Sequence, residues 1–152
     1  MKIYLLLATI GASVIACNPS APDKSQVREM FNADSLQVIT SFANSKLQTM
    51  SVLYGNSPAR QSALLGYRTH SPGEIFKLVT YKQADNKFWY GSHINGAIKS
   101  VEIVAASQSV NATAPLTYTL ERGQAPTDSV GDEVKSVNRI NYIFSHKPSV
   151  FP

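Results

Sequence analysis

The chain is poor in the residue types that most chemistry needs. Cysteine occurs once in 152 residues, at Cys17. That scarcity excludes an internal disulfide and any metal centre built from several thiolates. Glycine-rich phosphate loops, a nucleophile elbow and histidine pairs at ligand spacing on one helix are all missing, so the usual motifs for nucleotide binding, acyl transfer and zinc hydrolysis are absent. The ten acidic side chains could supply an acid/base pair, but none stands in a setting that suggests a raised pKa. No internal repeat and no low-complexity tract interrupts the chain. The basic excess, 14 Lys and Arg against 10 Asp and Glu, is scattered, which reads as a solvated surface and not a nucleic-acid footprint. The longest apolar run, residues 3–14, falls short of the ~20 residues that a membrane-spanning helix needs.

What is present begins with that run. Lys2 supplies a basic start, residues 3–14 are almost all apolar or small, and Val14-Ile15-Ala16-Cys17 closes the segment. A charged start, a short apolar middle and a small-residue exit describe a secretory signal peptide over residues 1–16. The exit resembles the lipobox of bacterial lipoproteins, with Ile15, Ala16 and Cys17 in its pattern and Val14 a less usual first residue. That resemblance implies cleavage before Cys17, diacylglycerol on its sulfur and acylation of the new amine, as with palmitate. Two or three acyl chains anchor stably where one does not. The lipid also occupies the only thiol, leaving none for a cysteine nucleophile. Residues 17–26 then form a lipidated tether and polar linker, with Pro19 and Pro22 hostile to helix. Asn18 is not the aspartate that retains some such proteins at the inner membrane, so outer-membrane placement is permitted. The expected location is the cell envelope, with the domain in the periplasm or at the cell surface and the membrane as first partner.

Residues 27–152 are enough for one domain with one core. Leu36, Ile39, Phe42, Ala43, Leu47, Met50, Leu53 and Tyr54 recur at three- and four-residue intervals and predict a helix from Asp34 to Gly55. Ser57 as cap, Pro58 and Gly66 predict a second, shorter helix. Residues 75–81 are rich in β-branched and aromatic types and predict a strand. Asp85-Asn86 predicts a turn and Lys87-Phe88-Trp89-Tyr90 a returning strand. Asn95-Gly96 predicts another turn, with further strands at residues 98–105 and 116–120. Val134, Val137, Ile140, Asn141 and Phe144 mark a last helix. The fold class is therefore α+β: an antiparallel sheet of four or more strands with N-terminal helices and a C-terminal helix.

Few polar residues stand out. His70, in Arg68-Thr69-His70-Ser71-Pro72, reads as a solvated loop histidine, and His93 follows Trp89-Tyr90-Gly91. Asn111-Ala112-Thr113 matches a glycosylation sequon. Lys77 has apolar neighbours Ile75, Val79 and Tyr81 on its own face. It is a pocket lysine, an edge-strand lysine that discourages aggregation, or one that snorkels to water.

The blocks Leu53-Tyr54-Gly55-Asn56, residues 78–91 and Lys99-Ser100-Val101-Glu102 resemble the cytochrome P-460 family, which includes the β-type cytochromes c′. The likeness runs from about Leu47 to the C-terminus. It implies a largely antiparallel periplasmic domain, often a homodimer, that carries c-type haem on a C-terminal Cys-x-x-Cys-His motif. In hydroxylamine-oxidising members a strand lysine also bonds to the haem, a role that would fall to Lys77. Here Tyr142 and Ser145 stand where the two cysteines belong, and only the axial candidate His146 remains. Thioether-linked haem is excluded, while non-covalent haem on His146 stays open.

Three readings follow. The first is an envelope lipoprotein whose P-460-like domain has lost covalent haem and binds a ligand or partner without catalysis. The second is a redox protein with non-covalent haem, acting on nitric oxide, hydroxylamine or peroxide. The third is an enzyme of other chemistry. Lys77, Tyr81, Trp89 and His146 are the candidate pocket residues, with His146 the candidate metal ligand. A cavity reached by both Lys77 and His146 would favour cofactor binding, and a filled space between sheet and last helix would favour the first reading.

Overall fold

A computed structural model describes residues 28–108, 114–124 and 132–149, with side chains left aside at 132–135. The leader, Cys17, the linker before Arg28 and the sequon at Asn111 lie outside the described residues. Five strands form one antiparallel sheet in sequence order: β1 (Gln37–Asn44), β2 (Thr49–Gly55), β3 (Ile75–Asp85), β4 (His93–Ala106) and β5 (Leu116–Gly123). Helix α1 (Ser57–Leu64) joins β2 to β3, and α2 (Asp132–Phe144) follows β5. The α+β class and the C-terminal helix are as expected from the sequence.

The predicted helix from Asp34 to Gly55 is instead the β1–β2 hairpin. In β2, Thr49, Ser51, Leu53 and Gly55 are buried while Met50, Val52 and Tyr54 are half-buried, a period of two that the helical spacing obscured. The β-branched content of Val38-Ile39-Thr40 and Thr49 to Val52 suits a pleated surface better than a helix. Leu47, counted into the helical stripe, is exposed in the turn, where Asn44 Oδ1 accepts from the Leu47 amide at 3.1 Å.

Helix α1 is where the sequence placed it, but its cap is Asn56 and not Ser57. The Asn56 side chain accepts from the Ala59 amide at 3.1 Å and donates to the Gly73 carbonyl at 2.8 Å, tying the helix start to the β3 entry. The expected strand at residues 87–90 is also absent. Asn86 captures the chain in a turn, accepting from the Phe88 amide at 3.0 Å and the Trp89 amide at 3.3 Å. Nor does Asn95-Gly96 turn the chain. It lies inside β4, where the pairing with β3 shifts register, as glycine often does at a bulge.

Alternation sorts the sheet into two faces. Leu53, Phe76, Leu78 and Val104 point to one, where they pack with Ile39, Ala59, Ala63 and Ile143 as the main core. Burying each large aliphatic or aromatic side chain there contributes about 1.5–3 kcal/mol. Ile143, which the predicted stripe passed over, is the most deeply placed of the described α2 side chains, whereas Val137 is exposed. Val79, Tyr81 and Val101 point to the other face, covered by Phe31 from the strap of residues 28–36. The strap is fixed at its start: the Glu29 amide donates to the Gly96 carbonyl at 3.1 Å, and the Glu29 carboxylate accepts from the Ile98 amide at 2.8 Å and from Arg122 at 2.6 Å. The Ile98 amide, then Arg122, hold this carboxyl below the usual range.

Two glycines separate backbone freedom from packing. Gly66 (φ +76°) closes α1 with nothing near a would-be Cβ, whereas at Gly123 (φ +81°) a Cβ would land on the Lys99 carbonyl oxygen. We expect Gly66→Ala to cost about 1 kcal/mol, the left-handed penalty alone. Gly123→Ala should cost clearly more, toward the upper end of about 1–3 kcal/mol, with both read from urea denaturation.

Candidate functional site

The main-core face changes character along its length. Toward the β1–β2 turn, the apolar positions give way to hydroxyls: Thr49 and Ser51 on β2, Thr80 on β3 and Ser100 on β4. Register sets Ser51 opposite Thr80 and Thr80 opposite Ser100, and the Ser51 and Thr80 hydroxyls meet at 3.1 Å. At the boundary sits Glu102, wholly buried on β4 between Val104 and Ser100.

Arg139 of α2 answers this carboxylate. Its Nε and Nη2 donate to the two Glu102 oxygens, each at 2.8 Å, and the Tyr118 hydroxyl donates to Glu102 at 3.0 Å. A two-pronged Arg–carboxylate pair is among the strongest charge-assisted arrangements. Burial alone would lower the Arg139 pKa, but the hydrogen bond and charge of Glu102 more than offset it and the net direction is upward. Burial, then the Glu102 charge, pushes the Tyr118 phenol up to about 12. The Arg139 guanidinium also lies 4.6 Å from the centre of the Tyr142 ring.

Beside this pair is a cavity of about 190 Å³ lined by Thr49, Ser51, Thr80, Ser100, Lys99 and Arg139, with Tyr142 and Leu47 at its side. Arg139, Lys99 and four Ser and Thr residues line it, and no carboxylate is among its described lining residues. It has room for roughly six water-sized groups, the scale of a small anion or a hydroxylated fragment. The sequence reading missed this site. Glu102 had a signal, a carboxylate inside the apolar run Val101, Ile103, Val104. Arg139 had a weaker one, standing four residues before Ile143 on the same helical face.

The residues singled out from sequence do not converge. Lys77 and Tyr81 lie on the strap-covered face. Lys77 is on the central strand of the five, not an edge, and pairs with Glu121 at 3.0 Å while lying 5.7 Å from the centre of the Phe31 ring. Burial, then Tyr54 and Glu29, pushes the Tyr81 phenol up to about 12. Trp89 is exposed at the β3–β4 tip. His146 lies just past α2, stacked on Phe42 at 3.6 Å between ring centres, with Nδ1 at 2.9 Å from the Tyr142 carbonyl. Lys77 packs under the strap while His146 stacks on Phe42 at the main-core face, and Phe76, Leu78 and Ile143 fill the space between sheet and α2 only on the apolar side of Glu102, with the cavity on the other.

His70 is not solvated. It is 8% exposed and pairs with the buried Glu74 at 2.7 Å. Ser62 lies 3.3 Å from the same His70 nitrogen, Nδ1, and donates its proton to the Thr69 carbonyl at 2.9 Å. A nucleophile relay needs the serine and the carboxylate on opposite ring nitrogens, so this trio braces the loop before β3. His93 pairs with Asp85 at 3.1 Å across the exposed hairpin base.

Among known proteins, no family model and no curated protein matches the chain.

Removing the guanidinium should expose how much the pair holds. Arg139→Met leaves Glu102 buried without its cation, and we expect a loss of about 3–5 kcal/mol. Glu102→Gln together with Arg139→Met should recover more than half of that loss in chemical denaturation.

Proposed function

We propose that the chain is a lipid-anchored envelope protein whose domain, resembling cytochrome P-460 without the means to attach haem covalently, is a non-catalytic binding module for a small anionic or hydroxylated ligand. One observation carries the reading: Lys99, Arg139, Thr49, Ser51, Thr80 and Ser100 line one cavity, with no carboxylate among its described lining residues. Such a lining attracts negative charge and offers donors to oxygen atoms. Glu102 takes Nε and Nη2 of Arg139, so the guanidinium is locked in place before any ligand arrives, and preorganisation of that kind lowers the cost of binding. The described lining holds no His, Cys or acid, and two of its hydroxyls, Ser51 and Thr80, pair with each other. Binding fits these residues better than turnover does.

Calorimetric titration of the purified protein with inorganic phosphate, acetate and glucose tests it. At least one probe should bind saturably, and Lys99→Ala with Thr80→Val should weaken that probe about tenfold, the loss of a charge-assisted and a neutral hydrogen bond, with the far-ultraviolet spectrum unchanged. No saturable heat with any of the three overturns the reading.

A second reading, haem held without thioethers for nitric oxide, hydroxylamine or peroxide chemistry, has one observation in its favour. Nδ1 of His146 against the Tyr142 carbonyl would fix the tautomer that leaves Nε2 basic, as in histidine metal ligands. Against it, Phe42 covers one ring face and Lys77 lies on the far side of the sheet, so these residues do not build a porphyrin slot. Haemin titration decides between the two: on the first reading no Soret band specific to His146 appears, and a band lost in His146→Ala would reverse the preference.

A further inference from the structure

Beyond Asp85 and His93, the β3–β4 hairpin ends in three consecutive aromatic side chains turned to solvent. Phe88 is 96%, Trp89 74% and Tyr90 105% exposed. The tip is nonetheless well formed, with Asn86 accepting from the amides of Phe88 and Trp89, the Asn86 amide donating to the Ser92 carbonyl at 3.0 Å and the Ser92 amide to the Trp89 carbonyl at 3.1 Å. Three large apolar side chains held on an ordered tip form an interaction surface, unlike singly scattered exposed residues.

The path of the strap says what faces that tip. Glu29 is bound to Gly96 and Ile98, Phe31 packs on Tyr54 at 5.3 Å between ring centres, and Leu36 borders a groove with Ile75 and Ala105. Ile75 opens β3, which runs from there toward the hairpin tip, so the strap runs the opposite way. Arg28, where the described strap begins, therefore lies toward the tip's end of the sheet. Gly96 is three residues along β4 from His93, about 10 Å. Ten residues lie between Cys17 and Arg28, a reach of at most about 40 Å. Exposed Lys82 and Lys87 flank the tip, with Arg28 nearby and Asp85 the acid at its base. Tyrosine and tryptophan prefer the level of lipid headgroups, and lysines beside them favour an anionic surface.

We propose that Phe88, Trp89 and Tyr90 form a second membrane contact, inserting into the interfacial layer of the bilayer that holds Cys17 and so fixing the orientation of the domain on it. The proposal rests on the lipid-anchor part of the reading above. The lipid holds the chain at the surface, and the tip converts a loose tether into a two-point attachment.

Trp89 is the only tryptophan, so its fluorescence reports this site alone. The full chain, extracted in detergent from its envelope, is reconstituted into phosphatidylethanolamine–phosphatidylglycerol vesicles with brominated acyl chains, and its mass is measured in parallel. We expect a blue-shifted emission, quenched at least twofold and most by bromine near the headgroups, and quenching should fall severalfold in Phe88→Ser/Tyr90→Ser with the thermal midpoint unchanged. A chain whose mass shows lipid on Cys17 but whose Trp89 stays water-like and unquenched overturns the membrane tip while the anchor stands. An unmodified Cys17 with Trp89 still quenched removes the anchor and upholds the tip. A blue shift without quenching means that a second copy covers the aromatics, and also overturns the proposal.

Discussion

A buried ion pair between Arg139 and Glu102 ties the last helix to the sheet. Glu102 has no exposure, and a carboxylate taken out of water that completely costs several kcal/mol unless it is paired and fully hydrogen-bonded. Arg139 and Tyr118 meet that requirement from two different elements. Their geometry fixes the azimuth of α2, because only one rotation of the helix sets the guanidinium fork against both carboxylate oxygens. That rotation in turn aims Ile143 into the core and leaves Val137 outside. Apolar packing alone would tolerate a helix rolled by part of a turn, and the ion pair does not. The cavity beside the pair is a consequence of the same boundary: on one side the sheet face is apolar and filled, on the other it is hydroxylated and open.

Strong local periods were legible in the sequence, and competing ones were not. β3 announced itself through Ile75 to Tyr81, and α2 through apolar spacing, because in each a single period dominates. The β1–β2 hairpin failed to do so. Ile39, Phe42, Ala43, Met50 and Leu53 fall at helical intervals by coincidence, while the alternation that governs them is carried partly by Thr49 and Ser51, which do not look like core residues. Their burial makes sense only when a pocket is seen to need hydroxyls. Phe88-Trp89-Tyr90 misled in the opposite sense. Three aromatics in a row predict a strand when burial is assumed, and nothing short of the Asn86 turn reveals that they are displayed.

The candidate site was harder to read than the fold, for a physical reason. Residues that combine across a sheet and a helix, such as Glu102 and Arg139, have no fixed spacing. The resemblance to haem proteins directed notice to Lys77 and His146, each plausible in isolation. Their separation on opposite faces depends on strand parity and on where the strap lies, and strand parity was available from the sequence only for Lys77.

The strictly sequential order of the strands bears on how the molecule assembles. Each strand pairs with its neighbour along the chain, so three of the four pairings close hairpins through short loops, the β2–β3 pairing spans α1, and all are local enough to be kinetically accessible early. Two closures are not of this kind. Glu29 meets Ile98 across 69 positions, and Ser149 meets Thr40 across 109, where its amide also donates to Ile39 on the outer edge of β1. Loop entropy makes such closures late, so the two ends dock last onto a sheet already built. On the proposed lipid-anchored reading, that order lets the interior form before the strap sets how the domain hangs from its tether.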